Sequence, residues 1–421
     1  MKKLIALLAL SLGAVGFAQT PVAETSPLSP AEKSMAAARL EIAHKPGQFS
    51  GYNHLAIALS RRARETSDVA FYAQAEEALR KSFELAPNDF ESQKIRVWLL
   101  LGRHEFPAAL DAAKALNKKV PDDILVYGFL TDANAELGNY DDAEKAAQWM
   151  LNLRPGNLPG MTRAAYLREL FGDVDGAYEL MEMAYQSTVP TETEDRAWIL
   201  AQMGHLRFIA GRTDDADNIL RQALTIFPGY HYALGNLAKV RIAQKRYDDA
   251  VTLLQQRYEA APHAENLYDL AEALELAGRA DDAKKAFAEF ETKSLAESGR
   301  KDNSSRELVF YYADHAKEPA KAIAIAQQEF AWRHDVYTLD AYAWALHRNG
   351  QDAEARKQLD TALAVGIRDA KLFAHAGEIA LRLGDRAKAE QYLRQSVSLR
   401  ATGSQEARSL PAELGKLDVT E

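Results

Sequence analysis

Ten alanines fall at Ala75, Ala109, Ala143, Ala177, Ala216, Ala250, Ala283, Ala322, Ala355 and Ala389, separated by 34, 34, 34, 39, 34, 33, 39, 33 and 34 residues. No other feature restricts the fold as much, because self-similarity at a period of about 20–50 residues marks a stack of repeated units. Two further markers share the phase. A proline stands twelve residues after five of the alanines, at Pro87, Pro121, Pro155, Pro228 and Pro262. A glycine stands five residues before six of them, at Gly138, Gly172, Gly211, Gly278, Gly350 and Gly384.

Between the markers apolar residues recur at helical spacing, as in Leu234, Leu237, Ala238 and Ile242, then Ala250, Leu253, Leu254 and Tyr258. Each unit therefore reads as two short helices. The glycine ends the first, since only glycine adopts the left-handed C-cap conformation without steric cost. Asp141-Asp142, Asp214-Asp215, Asp248-Asp249 and Asp281-Asp282 follow it and are expected to cap the second helix and oppose its positive end. The repeated alanine marks a close helix–helix approach, and the proline stops the second helix.

In these residues the chain resembles the tetratricopeptide repeat family. One unit carries Tyr127, Leu130, Gly138, Tyr140, Ala143, Ala147, Met150 and Pro155 at the family's offsets. A second carries Leu234, Leu237, Ala238, Tyr247, Ala250, Leu254 and Pro262; a third carries Leu267, Leu270, Ala271, Gly278, Ala283, Phe287 and Phe290. The resemblance implies an all-α, right-handed superhelical solenoid of stacked helix-turn-helix repeats, about nine to ten of them over residues 49–400. The unit around Ala322 departs from the pattern, with Lys317-Glu318-Pro319 where the turn glycine belongs. The two long intervals fall at 186–194 and 292–306 and divide the array into possible blocks 49–186, 194–291 and 306–400.

The ends read differently. Lys2 and Lys3, the apolar run Leu4–Val15 and the small residues Gly16 and Ala18 form a secretory signal over residues 1–18, with cleavage expected after Ala18. A flexible leader follows over 19–29. Ser29-Pro30-Ala31-Glu32 is a capping box opening an N-terminal capping helix within 30–48, and residues 401–421 form a C-terminal tail. Export predicts a periplasmic or secreted protein. The chain has no cysteine, so disulfides, thiolate metal sites and a cysteine nucleophile are excluded. Losing Lys2 and Lys3 takes the net charge from −9 to −11, which gives no net attraction to nucleic acid or an anionic membrane. No stretch reaches transmembrane length.

A search for chemistry finds none. The ten histidines form no His-Glu-x-x-His pair, and neither a phosphate loop nor a Gly-x-Ser-x-Gly elbow occurs. His334-Asp335 reads as a turn between units, and Asp-Asp pairs that recur in phase with the repeat read as helix starts. The expectation is a protein without catalytic activity, metal or cofactor.

The resemblance also implies where a partner would bind, since in tetratricopeptide proteins the first helix of each pair lines the concave face. Carried over unit by unit, that gives Trp198, His205 and Phe208; Tyr232, Gly235, Lys239 and Ile242; Glu265, Tyr268, Glu272 and Glu275; Tyr337, Asp340, Trp344, His347 and Arg348; and Lys371, Glu378 and Arg382. Earlier units offer Trp98, Asp132 and Tyr166. Aromatic residues and arginine dominate interface energetics, which singles out Trp198, Tyr232, Tyr268, Tyr337 and Trp344. Trp149 and Trp332 fall on second helices and are expected to serve internal contacts. The function expected is a protein- or peptide-binding scaffold or adaptor of the cell envelope. The alternatives are an assembly or maturation factor for an exported or envelope complex and, remotely, a small-ligand- or metal-binding accessory protein.

Overall fold

A proline that stops one helix leaves an Asp or Asn two residues on to start the next, and this step builds the first helix of most early units. In the computed structural model, which describes residues 28–303 and 305–399, the Asp89, Asp123 and Asn157 side chains accept from Ser92 N, Val126 N and Gly160 N. Asp335 and Asp369 cap their helices in the same way. The paired aspartates do not cap. They lie inside the first turn of the second helices, where the N-cap residues Asn139, Arg212, Arg246 and Arg279 make no side-chain cap bond. They oppose the helix dipole there, and Asp249 and Asp282 also pair with Arg246 and Arg279 one turn back.

The turn glycines have positive φ throughout, from 75° at Gly138 to 83° at Gly172. Where the glycine is missing, His104, Lys245 and Lys317 take the same conformation at φ 58°, 60° and 56°. The backbone of the unit thus survives the loss of its signature residue, at a cost of about 1–2 kcal/mol each.

The helices are α1 (Pro30–His44), α2 (Phe49–Thr66), α3 (Ala70–Leu85), α4 (Phe90–Gly102), α5 (Phe106–Lys119), α6 (Ile124–Glu136), α7 (Tyr140–Leu153), α8 (Leu158–Leu170), α9 (Val174–Ser187), α10 (Thr193–Ile209) and α11 (Thr213–Ile226). They continue as α12 (His231–Ala243), α13 (Tyr247–Ala260), α14 (Ala264–Leu276), α15 (Ala280–Glu297), α16 (Ser305–Phe310), α17 (Pro319–Phe330), α18 (Val336–Arg348), α19 (Asp352–Ala364), α20 (Ala370–Arg382) and α21 (Arg386–Leu399). A π-helical turn, Tyr311–His315, extends α16. From α2 onward consecutive helices pair, giving ten stacked helix pairs and no strand among the described residues. The capping box is present, with Ser29 and Glu32 satisfying each other's backbone N–H. The long intervals are absorbed by α10 and α15, which run to 17 and 18 residues. The signal segment, most of the leader and the 401–421 tail lie outside the described residues.

Each repeated alanine is at most 1% exposed. Ala250→Leu is therefore expected to overpack the α12–α13 contact and cost about 1–3 kcal/mol, read as a lowered Tm. An unchanged Tm would place that contact elsewhere.

The array does not run out straight. It coils until its turns touch. His334 N donates to Glu136 O at 3.0 Å, and Val336 N donates to the Tyr140 hydroxyl at 3.0 Å. Leu167 and Leu170 share one apolar cluster with Val336, Leu346, Ile367 and Leu372. Nearer the N-terminus, Arg64 of α2 pairs with Glu194 and Asp195 of α10, and Tyr230 OH donates to Glu194 at 2.8 Å. Burial raises the Glu194 pKa, and the Arg64 guanidinium works against that rise.

His231 Nε2 donates to the Arg64 carbonyl at 2.9 Å across the same seam, from a side chain only 2% exposed. Burial drives its pKa from 6.5 down to about 4. An unfolded chain therefore takes up this proton first. The stability that neutral His231 contributes is whole above pH 6.5 and is lost as the pH falls toward 4. The loss should be about 2–3 kcal/mol in denaturant midpoints compared at pH 7.5 and 4.5. His231→Gln should flatten that dependence; a variant that keeps the full slope would assign it to other groups.

Candidate functional site

Coiling turns the concave face inward, so the inner sides of the first helices meet one another rather than open solvent. Three of the spaces between them take up predicted residues. The first is a crevice of 220 Å³ between α10, α12 and α14 on one side and the start of α20 on the other. Phe208, Ile209, Ala238, Ile242 and Leu276 make its apolar wall, and His205, Lys239, Glu272, Arg368 and Lys371 stand around it. A Cβ at Gly235 in this wall would sit 3.0 Å from the Arg257 guanidinium, which pairs with Asp269 of α14, so that side chain would have to shift by a few tenths of an ångström.

The second space, of 310 Å³, lies on the coil axis among Arg64, Tyr72, Trp98, His104, Tyr232, His263, Glu265, Arg306, Glu329 and Arg333. Burial raises the Glu329 pKa and lowers that of His104 to about 3. For Asp335, burial works upward, but Arg333 and Arg306 outweigh it and hold the carboxyl below its ordinary value. The third space, of 350 Å³, is lined by Arg64, Asp132, Arg163, Tyr166, Asp195 and Trp198.

The sequence-predicted residues divide among these places. His205, Lys239 and Glu272 come together at the crevice with Phe208, Gly235 and Ile242, and His205 Nε2 lies 2.8 Å from Glu169 Oε1. Trp198 lines the third space with Asp132 and Tyr166; Tyr232 lines the axial one with Trp98 and Glu265. Tyr337 faces Arg306, its ring 5.9 Å from the guanidinium.

Tyr268, Asp340 and Trp344 are not groove residues: they are 4%, 5% and 3% exposed. Trp344 stacks on His375 at 4.0 Å and donates Nε1 to Asp314 at 2.8 Å, while Asp340 Oδ1 lies 2.8 Å from His375 Nδ1. That network, with α16 and α20 packed on either side of α18, fills the face a partner would have used. Tyr268 packs on Phe287 and Phe290. His347 bonds Asp352 at 2.6 Å, Arg348 reaches Asp314, Glu378 is half-buried and Arg382 is exposed beside Asp352. None of these four lines the crevice or the other two spaces described. Trp149 also departs from expectation: it is 46% exposed, with Tyr127 as its ring neighbour. Arg368 and Leu399 complete the crevice and were not foreseen, because repeat spacing says nothing about which distant units the coil brings together.

No helix among the described residues is long and apolar enough to cross a membrane, and no group of three His, Cys, Asp or Glu there is arranged to hold a metal ion.

No curated protein matches the chain. A monomeric mutant of human IFIT1 with Gppp-AAAA shares the fold at 15% identity over 87% of this chain and 86% of that one, with a TM-score of 0.50. PilW, a type IV pilus biogenesis factor, is similar at 14% identity over 48% of this chain and 92% of its own, TM-score 0.42. A thermophilic tetratricopeptide-repeat protein of Thermus thermophilus is similar at 19% identity over 46% of this chain and 98% of its own, TM-score 0.38. Residues 207–265 and 370–402 match the tetratricopeptide repeat itself. Those two stretches are in phase with the alanine period, and the ten stacked helix pairs give the chain the fold of a tetratricopeptide-type solenoid.

Proposed function

We propose that this protein is a non-catalytic adaptor that holds a protein or peptide partner on the inner face of its repeats, at the crevice between α10, α12, α14 and α20. One observation carries the reading: His205, Phe208, Gly235, Lys239, Ile242 and Glu272 come from three successive first helices and converge on one apolar cleft with a charged rim. An apolar anchor in such a cleft with polar contacts around it is how peptide segments are recognised. The coil is already folded, so little ordering entropy is lost on its side of the interface. The N-terminal residues support export, and with it an adaptor of the periplasm or the cell exterior whose partner is an envelope or secreted protein.

A photo-crosslinking side chain at Lys239 should capture one discrete protein in an envelope fraction, and the same group at Trp149 on the outer surface should not. Ile242→Arg, which puts a charge on the apolar wall, should lower the capture about tenfold or more. Equal capture at both positions, or indifference to the arginine, would sink the crevice as the binding surface. Export is tested separately by the mass of the mature chain, where an intact Met1 would overturn it.

A further inference from the structure

The crevice has a feature that the repeats do not explain. Its last wall residue is Leu399, where the described chain stops, so residues 400–421 set out from its edge. That segment carries Leu410, Leu414 and Leu417, spaced to fall on one face of a helix, with Glu413 and Lys416 between them and Asp418 just after. The crevice offers the complement. Its wall is apolar; of the carboxylates around it Asp269 pairs with Arg257 and Asp369 caps α20, whereas two basic residues at the rim, Lys239 and Arg368, are exposed and make no ion pair among the described residues. The chain from Leu399 to Leu410 extends up to about 35 Å, enough to cross a cleft only a few side chains wide.

We propose that the C-terminal segment Leu410–Asp418 of this same chain folds back into the crevice, its leucines on the wall of Phe208, Ile242 and Leu276 and its carboxylates at Lys239 and Arg368. A tethered occupant is present at an effective concentration in the millimolar range, so it fills the cleft ahead of a second copy or a free peptide of equal intrinsic affinity. The docking rests on the crevice and the tail sequence, independently of the adaptor reading. If both hold, the tail is a built-in competitor that any partner must displace.

The absence of native cysteine makes the test clean. In the full chain, Ile242→Cys is labelled with a thiol reagent, once with the natural tail and once with Leu410→Asp, Leu414→Asp and Leu417→Asp together. A tail docked nine-tenths of the time slows labelling about tenfold, so the aspartate tail should raise the rate by that factor. Adding a synthetic peptide of residues 405–421 to the aspartate variant should restore protection. Ile242→Cys with Leu414→Cys should form an intramolecular disulfide, while Trp149→Cys with Leu414→Cys should not. Equal labelling rates with both tails overturn the proposal, as does protection that appears only at high protein concentration, which would mean a second copy fills the cleft.

Discussion

Arg333→Leu is expected to cost about 3–5 kcal/mol, because it removes from a buried group of carboxylates the cation that touches all three, rather than a pair as a whole. Arg333 is 9% exposed and reaches Glu136 on α6, Glu329 on α17 and Asp335 at the head of α18. Burial already raises the pKa of Glu136 and Glu329; Asp335 keeps its charge because Arg333 and Arg306 stand beside it. Without the guanidinium the seam between turns of the coil holds three buried carboxylates with only Arg306, beside Asp335, to offset them. Urea midpoints should fall sharply, and small-angle scattering should show a longer particle where the chain stays folded. Arg333→Lys keeps the charge but loses the planar fork and should fall between. Arg80→Ala, on an exposed helix face, should leave the midpoint where it was. If Arg333→Leu behaves like Arg80→Ala, the seam does not hold the coil closed.

Gly172→Ala should be far more damaging than Gly211→Ala, although both glycines occupy the same position of the repeat. Their φ values are 83° and 76°, so alanine pays the left-handed penalty at either site, about 1–2 kcal/mol. Their surroundings differ. A Cβ at Gly211 meets nothing within 4 Å, whereas at Gly172 it would lie 2.5 Å from the carbonyl oxygen of Gly366 in the next turn of the coil. Gly138 is in the same position against His334 O at 2.7 Å, and Gly278 is open like Gly211. Backbone cannot rotate away as a side chain can, so Gly172→Ala and Gly138→Ala should cost roughly 3 kcal/mol or more. Four Tm measurements decide it. Equal losses at all four would mean that the turns do not touch.

This contrast also marks what the sequence could show. Contacts within a unit and between neighbours obey the period, so the paired helices, their glycine turns and their buried alanines are written in it. A local pattern explains even the exceptions: Lys245 and Lys317 adopt the glycine conformation because the flanking helices demand it. The seam is another matter. Whether Glu136 meets His334 depends on a small rotation accumulated over many stacked units, and no pairwise spacing encodes that sum. The candidate site suffered accordingly. Helix position puts His205, Lys239 and Glu272 on the inner face, where the structure gathers them at one crevice, but it puts Trp344 and Asp340 there as well, and both are buried. Their face is filled by a histidine, His375, that lies one unit further on and gave no signal of its own.

Touching turns change what kind of object a repeat protein is. An open array can gain or lose a unit at little cost, because each unit answers only to its neighbours. Here an added or deleted unit would slide every partner past its mate, leaving Arg64 away from Glu194 and Gly172 away from Gly366. The number of units between those pairs is therefore fixed by geometry, and the chain should melt as one body rather than fray from its ends.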